Sequence, residues 1–164
     1  SALTLIFPVA MAFAAANDLL TYKIPNIISI ALVAAFFVVA PFSGMGWVEF
    51  LTHIATFAVV LAVGIALFSA GLFGGGDAKL LAAAALWVGY ESLPTYISMV
   101  AICGGALAVA LLLFRRFELP APLRRLAWLE RLHGRDAGMP YGIALAAAAL
   151  WVYPTTRMFS GLVA

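Results

Sequence analysis

Apolar stretches of 16 to 27 residues, cut by glycine and proline, fill most of this chain. Hydrocarbon about 30 Å thick is crossed by about 20 residues of α-helix, within a range of about 17–25. Inside lipid the backbone must satisfy its own polar groups, so helices and closed barrels are the only options. Six candidate spans follow: Ala2–Asn17, Ile24–Phe42, Trp47–Phe73, Ala78–Leu93, Thr95–Phe114 and Met139–Thr155. Only 10% of the residues are charged, against about 25% in a soluble domain, and the mean hydropathy is +1.12. An ordinary water-soluble globule is excluded. The expected fold class is all-α, a polytopic membrane protein with six transmembrane helices, with residues 1–164 forming one membrane-embedded domain. No basic stretch precedes Leu3, so the first apolar stretch reads as a span and not as a cleavable leader.

The breaks between spans carry information. Pro25 suits a first helical turn, and Pro41 with Ser43 and Gly44 ends the second span. Gly74 to Gly76 part the third from the fourth, and Pro94 parts the fourth from the fifth. Eight of the nine basic residues fall on one side: Lys23, Lys79, Arg115, Arg116, Arg124, Arg125, Arg131 and Arg135. The positive-inside rule assigns that side to the cytoplasm and puts both termini outside. Within the cytoplasmic segment 115–138, Leu123, Leu126, Leu129 and Leu132 recur beside arginines, which predicts a short amphipathic helix at the lipid headgroups. Trp47, Trp87, Trp151, Tyr90, Tyr96 and Tyr153 read as an aromatic belt near the outer ends. Cys103, the single cysteine, reads as a packed apolar side chain.

Two acids stand out. Asp18 follows the first apolar stretch, and Asp77 closes Gly74-Gly75-Gly76-Asp77. A carboxylate beside hydrocarbon costs roughly 2.5–3.5 kcal/mol on insertion scales, which makes it a functional candidate. Both acids lie on the same predicted side, whereas Glu49 and Glu91 lie on the other. Two neighbouring carboxylates cannot both ionise freely and share a proton. Such a pair suits hydrolysis: the ionised member takes a proton from water and the protonated member polarises the carbonyl. Three other readings fit the same residues. Asp77 is a fit N-cap, each acid has a lysine close in sequence, and a proton relay in a small transporter would use the same groups. His53 and His133 sit on different elements and suggest no metal cluster.

Three motifs resemble one family. Gly74-Gly75-Gly76-Asp77-Ala78-Lys79 resembles the Gly-x-Gly-Asp-x-Lys motif of type IV prepilin peptidases, members of the Gly-x-Gly-Asp aspartyl protease group. Asp18, followed six residues later by Ile24-Pro25-Asn26, is similar to that family's first motif, and Met139-Pro140-Tyr141-Gly142 to the Pro-aromatic-Gly element opening its last helix. The resemblance implies a catalytic dyad of Asp18 and Asp77, an active-site loop shaped by Gly74, Gly76 and Lys79, and structural or substrate-adjacent roles for Pro25, Asn26, Pro140 and Gly142. It implies a multi-pass protein of the bacterial inner membrane that removes the basic leader, after a glycine, from prepilin or pseudopilin substrates at the cytoplasmic face. Those substrates and membrane lipids are the implied partners; no cofactor, metal or nucleic acid is expected.

Larger family members carry an extra cytoplasmic region between the first two spans and also N-methylate the product. This chain has only about Leu19 to Lys23 there, which argues against methyltransferase activity and makes it resemble the minimal peptidases of tight-adherence (Flp-type) pili. Archaeal preflagellin peptidases have a comparable core and remain an alternative, as does a proton-coupled transporter component or a non-catalytic assembly factor.

Overall fold

The computed structural model describes residues 2–120, 122–134 and 138–164. Among them the regular structure is entirely helical: α1 Ile6–Thr21, α2 Asn26–Val39, α3 Trp47–Ser69, α4 Gly75–Phe114, α5 Ala127–His133, α6 Gly142–Val152 and α7 Arg157–Val163. Short 3-10 turns precede α1 and extend α2 and α6.

Local chemistry sets the boundaries. Pro8 occupies the first turn of α1, where its missing N–H costs nothing. α1 ends on Tyr22, whose left-handed backbone (φ 55°) returns its N–H to Asp18 O at 2.8 Å. Ile24 precedes a proline and so avoids the helical region, and α2 starts at Asn26 with Pro25 as its N-cap, one residue before the first turn expected to hold it. α3 closes on Gly71, at φ 71°, with Gly71 N–H donating to Phe68 O and Leu72 N–H to Leu67 O, the paired bonds of a Schellman ending.

The largest departure from the sequence reading lies inside α4. The expected break was Pro94; the helix breaks instead at Gly89, at φ 76° and ψ 168°. Such a conformation is open essentially to glycine alone. A straight helix would carry Gly104 more than about 40 Å from Gly75. Yet Tyr141 packs against Phe73 with 5.6 Å between ring centres, and its ring also lies against Gly104. The chain therefore doubles back at Gly89. Pro94 sits just past the first turn of the returning half, near the positions where a helix N–H has no partner.

The returning half runs antiparallel to α6, with Tyr96 Oη donating to Leu145 O at 3.3 Å and Gly104 beside Tyr141. The first half runs antiparallel to α3: Gly64 abuts Ala78, while His53 Nδ1 lies 2.6 Å from Leu86 O. Small residues allow this closeness. Ala82 to Ala85 and Ala146, Ala148 and Ala149 are buried, and in lipid, where burial of apolar surface drives nothing, close van der Waals packing holds helices together.

An aromatic cluster fills the bundle at the end away from Asp18. Phe7 packs on Trp87 at 5.3 Å and on Tyr153 at 4.7 Å, and Trp87 Nε1 donates to Leu32 O at 2.9 Å. Trp87, Tyr96 and Tyr153 are thus core residues and not members of a belt; each buried polar tip of Trp87 and Tyr96 has found a backbone carbonyl. Trp47, Tyr90 and Trp151 do face outward, together with Val9, Phe13, Val59, Val63 and Leu112. Three helical stretches, Ala2–Thr21, Trp47–Ser69 and Gly75–Phe114, are long and apolar enough to cross a membrane; Asn26–Phe42 and Gly142–Thr155 are apolar but shorter.

The segment after α4 folds back toward the end of α1. Arg115 Nε donates to Leu132 O at 3.0 Å, and Arg131 Nη1 donates to Leu20 O at 3.1 Å. Among its described residues the α-helix is the short α5, with Leu123, in a 3-10 turn, and Leu126 outside it and exposed. Arg135, counted among the cations of this segment, lies outside the described residues.

Candidate active site

Three chain segments meet at the end of the bundle opposite the aromatic cluster. They are the last turn of α1 with its link to α2, the start of α4, and the start of α6. Glycines make the meeting possible. Ile24 is wedged between Gly76 and Gly142: a Cβ on Gly76 would stand 3.2 Å from Ile24 Cβ, and one on Gly142 would stand 3.0 Å from Ile24 Cδ1. Larger residues at either position would drive the segments apart.

This convergence brings Asp18 and Asp77 to one cavity of about 580 Å³, lined also by Tyr22, Lys23, Pro25, Asn26, Gly74 and Gly76. Asp18, in the last turn of α1, is 5% exposed. Its Oδ2 accepts the backbone N–H of Gly142 at 2.7 Å. Asp77 lies in the first turn of α4, partly buried, and close enough to Asp18 for the two charges to interact. Gly74 is the N-cap of α4, and a Cβ there would collide with Asp77 Oδ2. The expected active-site loop is therefore mostly helix: Gly74 alone stands before it, whereas Gly76 and Lys79 belong to the opening turns of α4. The glycine run is tolerated because it occupies a helix end, where the extended N-cap of Gly74 (ψ 141°) starts the turn.

The bland readings of the acids find no partner here. Asp77 caps no helix, since Gly74 is the N-cap and no side chain accepts an end N–H. Among the described residues neither aspartate forms an ion pair. Lys79 instead donates to Asn26 Oδ1 at 3.1 Å, linking α4 to the start of α2. Pro25 C=O accepts the N–H of Ile28 at 3.1 Å, which closes the first turn of α2. Pro140 is buried and its C=O accepts from Ile143 N–H at 3.3 Å, which sets the start of α6. α6 is followed by α7, so the Pro-Tyr-Gly element opens the penultimate helix.

The sequence reading gave Tyr22, Ile24 and Tyr141 no role of their own, although Ile24 and Tyr141 stand inside the quoted motifs. Tyr22 and Ile24 line the cavity, and Tyr141 joins α6 to Phe73. The signals were the Pro-aromatic-Gly element for Tyr141 and the spacing of Ile24-Pro25-Asn26 from Asp18 for Ile24; Tyr22 carries no pattern of its own. Glu49 and Glu91 lie at the far end, as their side of the chain implied, where Glu91 pairs with Arg157 at 2.8 Å beside the His53 cavity. Among the described residues no three His, Cys, Asp or Glu side chains converge.

What this site can do follows from its content: two carboxylates, a cavity large enough for a peptide segment and water, and glycines that let the three segments close around the acids. No curated protein and no solved structure matches the chain. The profile of the type IV leader peptidase family matches residues 5–109, which span both aspartates, the glycine run and Lys79. With well over half its length covered by that match, the chain belongs to the type IV leader peptidase family.

Proposed function

We propose that this leader peptidase is an aspartyl endopeptidase in which Asp18 and Asp77 form the catalytic pair. It removes the basic leader from prepilin-like substrates at the cytoplasmic face of the bacterial inner membrane. The observation that carries this reading is the single cavity reached by both carboxylates from separate helices.

In the reaction, the ionised aspartate takes a proton as water attacks the carbonyl carbon of the scissile peptide. The protonated partner donates to the carbonyl oxygen. The tetrahedral adduct collapses as the amide nitrogen gains a proton and the C–N bond breaks, leaving a carboxylic acid on the leader and a free amine on the product. Because the two acids titrate as one unit, neither is assigned the base.

Topology supports the same reading. In this reading α1, α2, α3, the two halves of α4, and α6 are the six crossings. Phe7 and Tyr153 pack together at the end away from the aspartates, with 4.7 Å between ring centres, which supports both termini lying on that side. Lys23, Lys79 and Arg131 gather at the aspartate end and Arg157 at the other, which fits the aspartate end facing the cytoplasm. The short link 22–25 between α1 and α2 leaves no separate domain there, which supports peptidase activity without N-methylation.

The test is leader removal from a synthetic prepilin by the full chain in lipid nanodiscs. Asp18→Asn keeps an acceptor for the Gly142 N–H, and Asp77→Asn keeps shape. Each is expected to abolish cleavage while the protein still inserts. Full cleavage by both single variants would remove the basis for the proposal.

A further inference from the structure

A second cavity opens next to the first. α2 and α3 meet at the end away from the aspartates, where Phe36 lies 6.0 Å from Phe50 and 5.5 Å from His53 between ring centres. From that closed end the helices diverge toward the aspartates and leave a groove of about 820 Å³. Its walls include Ile30 and Ala34 on α2 and Leu61 and Ile65 on α3; its floor is Gly75 and Ala78 of α4. From Ile30 to Ala34 and from Leu61 to Ile65 the walls rise about one helical turn, and from Asn26 to Ala34 about 12 Å.

Two observations distinguish this groove from ordinary lipid-facing surface. It adjoins the aspartate cavity, since Asn26 and Gly75 line both. It also holds an orphan in its wall: Ser29 lines the groove and is 7% exposed, and its buried hydroxyl has no hydrogen-bond partner. Burying an unpaired hydroxyl costs free energy, and a helical serine ordinarily satisfies itself on the carbonyl one turn back. Small side chains at Ser29, Ala34, Gly75 and Ala78 let another helix come close, as tight contacts between helices in membranes require.

We propose that this groove seats the apolar helix of the leader-bearing substrate, entering sideways from the lipid between α2 and α3. The inference rests on the leader-peptidase reading above. With the helix in the groove, the chain just before it passes Asn26 and Gly75 and lies across Asp18 and Asp77. A turn of the Ser29 side chain about χ1 brings its Oγ to a backbone carbonyl or a polar side chain of that helix. A lipid tail would fill the apolar walls but would leave the hydroxyl unpaired and would not explain why the groove lies beside the polar cavity.

The experiment uses the full chain in nanodiscs and a designed prepilin: a basic leader, a glycine at the cut, and a 20-residue Leu/Ala helix bearing a diazirine one to two turns after the glycine. With the Asp77→Asn variant, photolysis is expected to label α2 around Ile30–Ala34 and α3 around Leu61–Ile65. Labels confined to the outer faces of α1 or of the returning half of α4 would overturn the proposal. So would labelling of the groove by a photoreactive phospholipid that the prepilin does not displace. Ala34→Trp and Ile65→Trp fill the groove from exposed positions. Each is expected to lower kcat/KM for the helix-bearing prepilin by about tenfold or more, through KM. A probe with the same leader and glycine but a short polar tail should be cut at the wild-type rate. Unchanged kcat/KM for the helix-bearing prepilin would overturn the proposal; if neither protein cuts the short probe, the cross-links decide. Failure of the catalytic reading looks different: Asp18→Asn and Asp77→Asn would still cleave, wherever the helix binds.

Discussion

Gly142 donates its backbone N–H to Asp18 Oδ2 at 2.7 Å across 124 residues of sequence, so the start of α6 holds the carboxylate at the end of α1. A Cβ at Gly142 would stand 2.9 Å from that oxygen and 3.0 Å from Asp18 Cβ. Gly142→Ala must push the carboxylate or α6 aside. Misplacement by an ångström costs up to about a hundredfold in rate. Cleavage by Gly142→Ala is expected to fall by about ten- to a hundredfold, mainly in kcat, with insertion unchanged. A wild-type kcat would mean that this hydrogen bond does not position Asp18.

The two aspartates should fail as a pair. General acid–base groups contribute about 10²–10⁴-fold each, but residues acting as a unit are not additive. The Asp18→Asn, Asp77→Asn double variant is therefore expected to be no slower than the slower single variant. The pH profile of kcat/KM carries the same information. At low pH both carboxyls are protonated and no base is present; at high pH both are ionised and no acid is present. A bell is expected for the wild type, flattened to the residual rate in each single variant. Multiplicative losses in the double variant would count against a shared proton.

Much of the helical layout could be read from residues. Pro25 and the run Gly74 to Gly76, read as breaks in the sequence, stand at the starts of α2 and α4. The reversal could not be read. Pro94 announces a break by removing a donor, yet the helix absorbs it, while Gly89 sits silently between Val88 and Tyr90 and matters because the chain reverses there at φ 76° and ψ 168°. The belt reading failed for Trp87, Tyr96 and Tyr153 for a related reason: their ends of the helices are near the boundary, but tertiary packing turns the rings inward. At the site, Asp18 and Asp77 announce themselves by chemistry. The Gly142 N–H does not, because every residue but proline carries one.

That silence at Gly89 has a measurable consequence. The residue combines φ 76° and ψ 168° with a His53 ring atom 2.7 Å from where a Cβ would stand. Backbone in this region costs a residue other than glycine of order 1–3 kcal/mol. Gly89→Ala is expected to lower the thermal unfolding midpoint in detergent by several degrees. His53→Ala, which clears the clash, should recover only part of the loss, since the backbone strain stays. Full recovery would show that the ring and not the reversal sets the need for glycine.

Lys79 and Asn26 permit a cleaner separation of roles. The ammonium donates to Asn26 Oδ1 at 3.1 Å on an exposed edge where the aspartate cavity and the α2–α3 groove adjoin. An exposed hydrogen bond to a charged donor contributes about 1 kcal/mol. If its work is to hold the start of α2 against α4, Lys79→Gln and Asn26→Ala should each lower kcat/KM about fivefold, and the double variant should lose no more than either alone. The loss should also ease in the order expected for geometry and not charge, with Lys79→Arg retaining most activity. Additive losses, or a large loss confined to Lys79 and indifferent to Asn26, would instead mean that the ammonium acts directly on the substrate or on the acids.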